Sequence, residues 1–268
     1  MITLAQLTAS GHPYVDLLTG RTPSFACQAD QRFSYCLYVP RDIDTSRAHP
    51  LVVTIHGTER APESYRDGFA DLADKHQCVV LAPLFPAGIG DPDDVDNYKT
   101  LDYRGIRFDL LLLEMVAEVG ARWPVATDRV YLHGFSGGGQ FAHRFLYLHP
   151  DRLAGVSVGA PGSVTLLDQT KPWPAGTADL AQRFGTDLDL PALRSIPVLL
   201  FIGEQDDQPH PLTGASRVAG IAALRDNLID NGLDPAFETE PGVGHEQAAI
   251  FPAANRFFDD LVQREHRA

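Results

Sequence analysis

One serine, one aspartate and one histidine have the types and spacing to do chemistry together. Residues 130–132 read as a short apolar strand that runs into His133-Gly134-Phe135-Ser136-Gly137-Gly138-Gly139. Residues 137–148 then have helical spacing. Gly134-Phe135-Ser136-Gly137-Gly138 fits G-x-S-x-G, the pattern of a strand that turns sharply into a helix with the serine at the bend. The bend strains the serine backbone, and neighbouring segments come so close that the flanking positions can carry little side chain. The hydroxyl is then presented beside a helix N-terminus, which favours developing negative charge. Two competing readings are an ordinary N-capping serine and a phosphate cradle. The second is weak, because no G-K-[ST] follows and the spacing is not G-x-G-x-x-G.

Two further residues lie where partners of such a serine belong. A strand over 197–202 leads into Gly203-Glu204-Gln205-Asp206-Asp207, and one over 237–240 leads into Gly242-Val243-Gly244-His245-Glu246. Asp206 would orient His245, and His245 would take the proton of Ser136. Asp207 competes for the acid role. His210 is a weaker candidate for the base, since it lacks a strand-to-helix setting. His133 reads as packing or a local hydrogen bond, and His149 as a helix end. A tetrahedral intermediate also needs two backbone N–H donors. Gly137 supplies one and Thr58, in His56-Gly57-Thr58 after a strand over 51–55, supplies the other. Gly57 would let the backbone approach a substrate closely. His56-Gly57 also fits a plain strand-ending turn.

The elements that must position these residues alternate between short apolar strands and helices, which argues for a parallel sheet covered by helices. Further strands are expected over 33–39, 78–82 and 156–158, and helices over 62–76, 103–122, 215–231 and 246–264. The 85–100 loop is acidic, but its aspartates fail the EF-hand spacing, so it reads as a solvated loop and no metal site is expected. Residues 160–196 lack clear periodicity and carry four prolines. They are the candidate for an inserted lid or pocket wall in an otherwise single domain over 1–268. There Trp173, Phe184, Leu166 and Leu167 either face a substrate or form the core of the insertion, and Phe135 and Phe85 could border the pocket.

Composition narrows the field. With 268 residues, 44% of them hydrophobic, the chain can bury a sizeable core. A formal charge of −13 disfavours nucleic acid as a partner. No apolar run spans a bilayer: the longest candidate, 110–116, is interrupted by Glu114. The first eleven residues show no secretory signal, so a cytoplasmic location is the default expectation, although a trimmed secreted chain would look the same. The three cysteines form no CxxC pair. Cys78 opens an apolar strand, and Cys27 and Cys36 are close enough in sequence to bridge a hairpin where geometry allows.

The order Ser…Asp…His, the run Leu51-Val52-Val53-Thr54-Ile55-His56-Gly57, the elbow at 134–139, Gly244-His245-Glu246 and Tyr35-Cys36-Leu37-Tyr38-Val39-Pro40 together resemble the α/β-hydrolase superfamily. The likeness extends over nearly the whole chain. Within the superfamily they resemble the esterase branch that includes poly(3-hydroxybutyrate) depolymerase-like and feruloyl-esterase-like proteins. The resemblance implies hydrolysis of a small or polymeric ester through an acyl-enzyme, with no cofactor. One departure is the oxyanion loop, His56-Gly57-Thr58-Glu59-Arg60, which is neither Gly-rich nor Cys-containing; Glu59 and Arg60 either line the site or pair at the surface. A serine at the elbow disfavours dehalogenase and epoxide hydrolase chemistry. Amidase, peptidase, lactonase and acyltransferase activities use the same machinery, and a non-catalytic binding module can share the fold. A base at 245 must be neutral, so activity is expected to fall below about pH 6.5, the ordinary range of a histidine.

Overall fold

A computed structural model describes residues 2–207, 209, 214, 216–265 and 267. His210 lies outside the described residues. The strands are β1 (Gly20–Arg21), β2 (Phe25–Ala26), β3 (Ser34–Val39), β4 (Leu51–Ile55), β5 (Val79–Leu84), β6 (Asp102–Tyr103), β7 (Ile106–Arg107), β8 (Val130–Phe135), β9 (Leu153–Gly159), β10 (Val198–Gly203) and β11 (Ala236–Glu240). The helices are α1 (Leu4–Ala9), α2 (Val15–Leu18), α3 (Pro62–Asp67), α4 (Ala70–His76), α5 (Phe108–Arg122), α6 (Gly137–Leu148), α7 (Leu180–Phe184), α8 (Leu190–Arg194), α9 (Arg217–Asp230) and α10 (Gln247–Glu265).

Among the described residues, nine strands form one sheet in the order β1-β3-β5-β4-β8-β9-β10-β11, with β2 also on β3. From β5 to β11 every pairing is parallel, while β3 runs antiparallel to β5. Side chains alternate between the faces of a strand. Leu51 and Val53 therefore join the core under α5, α6 and α9, while Val52 joins the core under α4 and α10. Tyr131 and Val80 follow Val52, and their chain neighbours follow Leu51. Burial on both faces explains why the central strands read as unbroken apolar runs.

The expected strands and helices are present, with shifted ends and two changes of kind. The helix expected over 62–76 is two helices broken at Gly68, where a Cβ would stand 2.4 Å from the Phe251 ring of α10. The helix expected from 103 begins at Phe108, because Arg104 and Gly105 take positive φ (50° and 80°) and turn β6 back on β7. The 160–196 stretch holds α7 and α8 and buries Leu167, Trp173, Leu180, Phe184 and Leu193. The Cys27–Cys36 bridge is not formed: all three cysteines are free and buried. The β2–β3 register places Phe25 opposite Tyr35 and Ala26 opposite Ser34, so Cys27 faces Phe33. Cys36 is three positions further along the ladder, about 10 Å, beyond the reach of a disulfide. No helix among the described residues is long and apolar enough to cross a membrane.

Candidate active site

Ser136 follows β8 and occupies the N-cap position of α6 with φ 56° and ψ −113°, a positive-φ conformation that is unfavourable for a non-glycine residue. The glycines around it are required by close approach. A Cβ at Gly134 would stand 2.1 Å from the Gly138 carbonyl oxygen, and one at Gly138 would stand 2.1 Å from the Ile55 carbonyl oxygen. The elbow is thereby wedged between β4 and the first turn of α6. The Ser136 amide also donates to the Gly159 carbonyl at 2.8 Å.

Across the site, the loops after β10 and β11 hold each other. Glu204 N–H donates to the Glu240 carbonyl (2.9 Å), Gln205 N–H to the Val243 carbonyl (2.8 Å) and Gly242 N–H to the Glu204 carboxylate (3.2 Å). This interlock brings His245 against Asp206. The imidazole Nδ1 is 2.6 Å from Asp206 Oδ2, and Nε2 is 2.9 Å from Ser136 Oγ. With a neutral imidazole, this network has Nδ1–H donating to Asp206 and Nε2 accepting from the Ser136 hydroxyl. Asp206 is only 2% exposed, whereas the His245 side chain is 30% exposed. Asp207 points elsewhere and accepts from the Ser216 hydroxyl. Arg217 Nη1 lies 3.3 Å from Asp206 Oδ1, a contact with no local signal in the sequence because Arg217 lies eleven positions on.

Phe135 lays its ring on His245 at 4.6 Å between centroids, so it packs the imidazole from below. Thr58 and Gly137 are neighbours: a Cβ at Gly137 would stand 3.3 Å from Thr58 Oγ1, 2.3 Å from Tyr98 Oη and 2.9 Å from Lys99 Cε. Among the described residues, neither the Thr58 amide nor the Gly137 amide has an acceptor. Tyr98 and Lys99 thus leave no room for a side chain at 137. Lys99 is itself ion-paired with Asp96.

Trp173 lies within the insertion. Its ring meets Phe184 at 4.9 Å and its indole N–H donates to the Thr100 carbonyl at 2.8 Å; its described contacts do not include the three aligned residues. Arg144 of α6 fastens this insertion down, donating to Thr165 Oγ1 (2.8 Å), Ser163 Oγ (3.1 Å) and the Lys99 carbonyl (2.7 Å). Burial lowers its guanidinium to about 9. An arginine in the middle of an apolar helix is visible in sequence, but its partners are not.

Three more histidines lie under the site, all neutral for the same reason. Burial pushes His56 down to about 4, and His133 and His143 down to about 3. His56 and His143 are fixed by backbone: His56 Nδ1–H donates to the Gly57 carbonyl and Nε2 accepts from Phe85 N–H, while His143 bridges the Gly139 carbonyl and Thr165 N–H. Among the described residues, the hydroxyl at 136 can thus pass its proton to the imidazole at 245, which the carboxylate at 206 orients, beside two unpaired amides.

No family model matches the sequence. A probable acetylxylan esterase A of Aspergillus clavatus is 27% identical over 120 residues, which is 44% of this chain and 38% of that protein. The matched region is therefore well under half the length of that relative. A poly(3-hydroxybutyrate) depolymerase, LpqC, of Bordetella parapertussis superposes with a TM-score of 0.72 at 25% identity, covering 92% of this chain and 93% of that one. Poly(aspartic acid) hydrolase-1 of Sphingomonas sp. KT-1 also superposes at 0.72, with 20% identity over 89% of this chain and 98% of the other, a likeness of fold. Sheet order, helix placement and these neighbours give the chain the α/β-hydrolase fold, with a likeness to the poly(3-hydroxybutyrate) depolymerase LpqC.

Proposed function

We propose that the chain is a serine hydrolase that cleaves a carboxylic ester through an acyl-enzyme. The observation that carries this reading is the continuous line Asp206–His245–Ser136, with gaps of 2.6 and 2.9 Å, ending beside the unpaired amides of Thr58 and Gly137. The relative named as an acetylxylan esterase and the structural neighbour named as a poly(3-hydroxybutyrate) depolymerase support an ester as the substrate.

Ser136 Oγ attacks the ester carbonyl carbon while its proton moves to His245 Nε2. Asp206 holds the imidazole in the right tautomer and stabilises the imidazolium. The two amides receive the carbonyl oxygen as it gains charge. Collapse breaks the bond to the alcohol, which leaves with the proton from His245. Water, deprotonated by His245, then attacks the acyl-serine; the acyl–Oγ bond breaks, Ser136 Oγ takes the proton from His245, and the acid leaves. No step calls on a cofactor.

Hydrolysis of p-nitrophenyl esters of graded acyl length tests the reading, with wild type and Ser136→Ala side by side. The expected result is turnover by wild type and a loss of about three orders of magnitude or more in Ser136→Ala. Equal rates from both proteins would remove Ser136 from the mechanism.

A further inference from the structure

The loop His56-Gly57-Thr58-Glu59-Arg60 departs from the Gly-rich pattern, and its two charged residues do not pair with each other. Each turns back on the loop. Glu59 accepts from Tyr65 Oη at 2.9 Å, and the same hydroxyl accepts from Gly57 N–H at 2.9 Å. Burial, reinforced by the Glu59 charge, raises the Tyr65 phenol, so it stays protonated and able to donate. Arg60 has three neutral acceptors: Nη1 donates to the Thr58 carbonyl (2.7 Å), Nε to the Phe85 carbonyl (3.2 Å) and Nη2 to Asn97 Oδ1 (3.2 Å). Its guanidinium also lies 5.1 Å from the centre of the Tyr98 ring.

The effect falls on the peptide that carries the Thr58 N–H. Its carbonyl is that of Gly57, held by His56 Nδ1–H at 2.8 Å and by Arg60 N–H at 3.3 Å. In a trans peptide the N–H points opposite to the carbonyl, so pinning one aims the other. The next peptide is pinned by the Arg60 side chain through the Thr58 carbonyl. Arg60 itself takes φ 53°, a conformation that costs a non-glycine residue of order 1 kcal/mol or more and persists only where the surroundings enforce it. The fork supplies that enforcement. Its far end is anchored on Asn97, which is buried and bonded to the Pro86 carbonyl at 2.7 Å. Tyr98, beneath the guanidinium, donates to the His56 carbonyl at 2.9 Å and stands against Gly137. One side chain therefore ties the loop bearing one amide to the residues that wall the other.

We infer that Arg60 is a positioning residue for the oxyanion site: it fixes the direction of the Thr58 N–H without touching substrate. This rests on the serine-hydrolase reading above. A lysine could not replace it fully, because three acceptors in three directions require a planar fork.

The test is the rate at which a fluorophosphonate modifies Ser136, measured on the whole chain for wild type, Arg60→Met and Arg60→Lys, with melting temperature recorded for each. Phosphonylation loads the same two amides and needs no knowledge of the natural substrate. Arg60→Met is expected to slow labelling by about 10- to 100-fold, up to the loss seen when an oxyanion donor is removed. Arg60→Lys is expected to fall between; in a further variant, Arg60→Ala, which leaves room for a small cation, added methylguanidinium is expected to restore part of the rate, with no effect on wild type. On an ester that wild type turns over, kcat should fall with KM within about threefold, the mark of an interaction made in the transition state. Labelling within about twofold of wild type, or a rise in KM with kcat unchanged, overturns the inference and leaves the serine-hydrolase reading standing. A wild type whose Ser136 is not labelled overturns both. Should Arg60→Met fail to fold, the Arg60→Lys rate decides between the same outcomes.

Discussion

The two sides of the site are built by different means. On the nucleophile side, Ser136 and Gly137 are held by backbone pressed on backbone: β8 and α6 against the end of β4, with no room for a Cβ at Gly134 or Gly138. On the acid–base side, Asp206 and His245 stand on loops beyond β10 and the edge strand β11, joined by hydrogen bonds between the loops. A Cβ at Gly244, next to His245, would meet nothing within 4 Å. Steric contact fixes one half of the geometry and a few polar contacts fix the other, so the halves should fail in different ways.

The largest difference is expected from Asp206→Asn, which keeps the shape of the acid–base side and changes its polarity. With the wrong tautomer on His245, kcat should fall by about 10²- to 10⁴-fold with little change in melting temperature. A loss below tenfold would mean that Asp206 does not orient the base. Next come two matched substitutions. Gly138→Ala pushes a Cβ against the Ile55 carbonyl and should destabilise the fold by about 1–3 kcal/mol in chemical denaturation. Gly244→Ala should be tolerated within about 0.5 kcal/mol. Equal effects would erase the contrast.

Acid sharpens the comparison further. His56, His133 and His143 all lie on the nucleophile side, with their imidazoles pushed by burial to about 4, 3 and 3. Unfolded, each would titrate near the usual histidine value of about 6.5. Between those limits the unfolded chain binds more protons, up to one for each of the three, so stability is complete above about pH 6.5 and declines as pH falls towards 4. Melting temperature should therefore drop steadily from pH 6.5 to pH 5, before most carboxylates titrate. A flat profile would mean that these rings are not buried neutral. The smallest effect is expected from Asp207→Asn, within about threefold of wild type in kcat, since Asp207 faces Ser216 and not the imidazole.

The same contrast explains what could be read from the sequence. The buried parallel strands and the elbow were legible because each is a local pattern: an apolar run, then glycines at fixed offsets from a serine. Asp206 and Asp207 were not separable, because both follow β10 and only the fold decides which one is buried against His245. Trp173 could be taken for a pocket residue as readily as for the core of the insertion, since burial by Phe184 and Thr100 depends on a distant chain segment. Glu59 and Arg60 stood out as a departure in the oxyanion loop, but their partners did not, and the braces at Tyr65 and Arg217 left no signal, because those contacts depend on how the chain folds back. Gly68 resembled an ordinary helix position until Phe251 of the last helix was packed against it.

The central claim is that Ser136 is the nucleophile activated by His245. Its most direct test is treatment of the wild-type chain with a fluorophosphonate, followed by peptide mass spectrometry, beside Ser136→Ala and His245→Ala. The account expects one adduct, on Ser136, absent from Ser136→Ala and formed at least about 10²-fold more slowly in His245→Ala. An adduct on another serine, or an unmodified Ser136 in a folded wild-type chain, would contradict it.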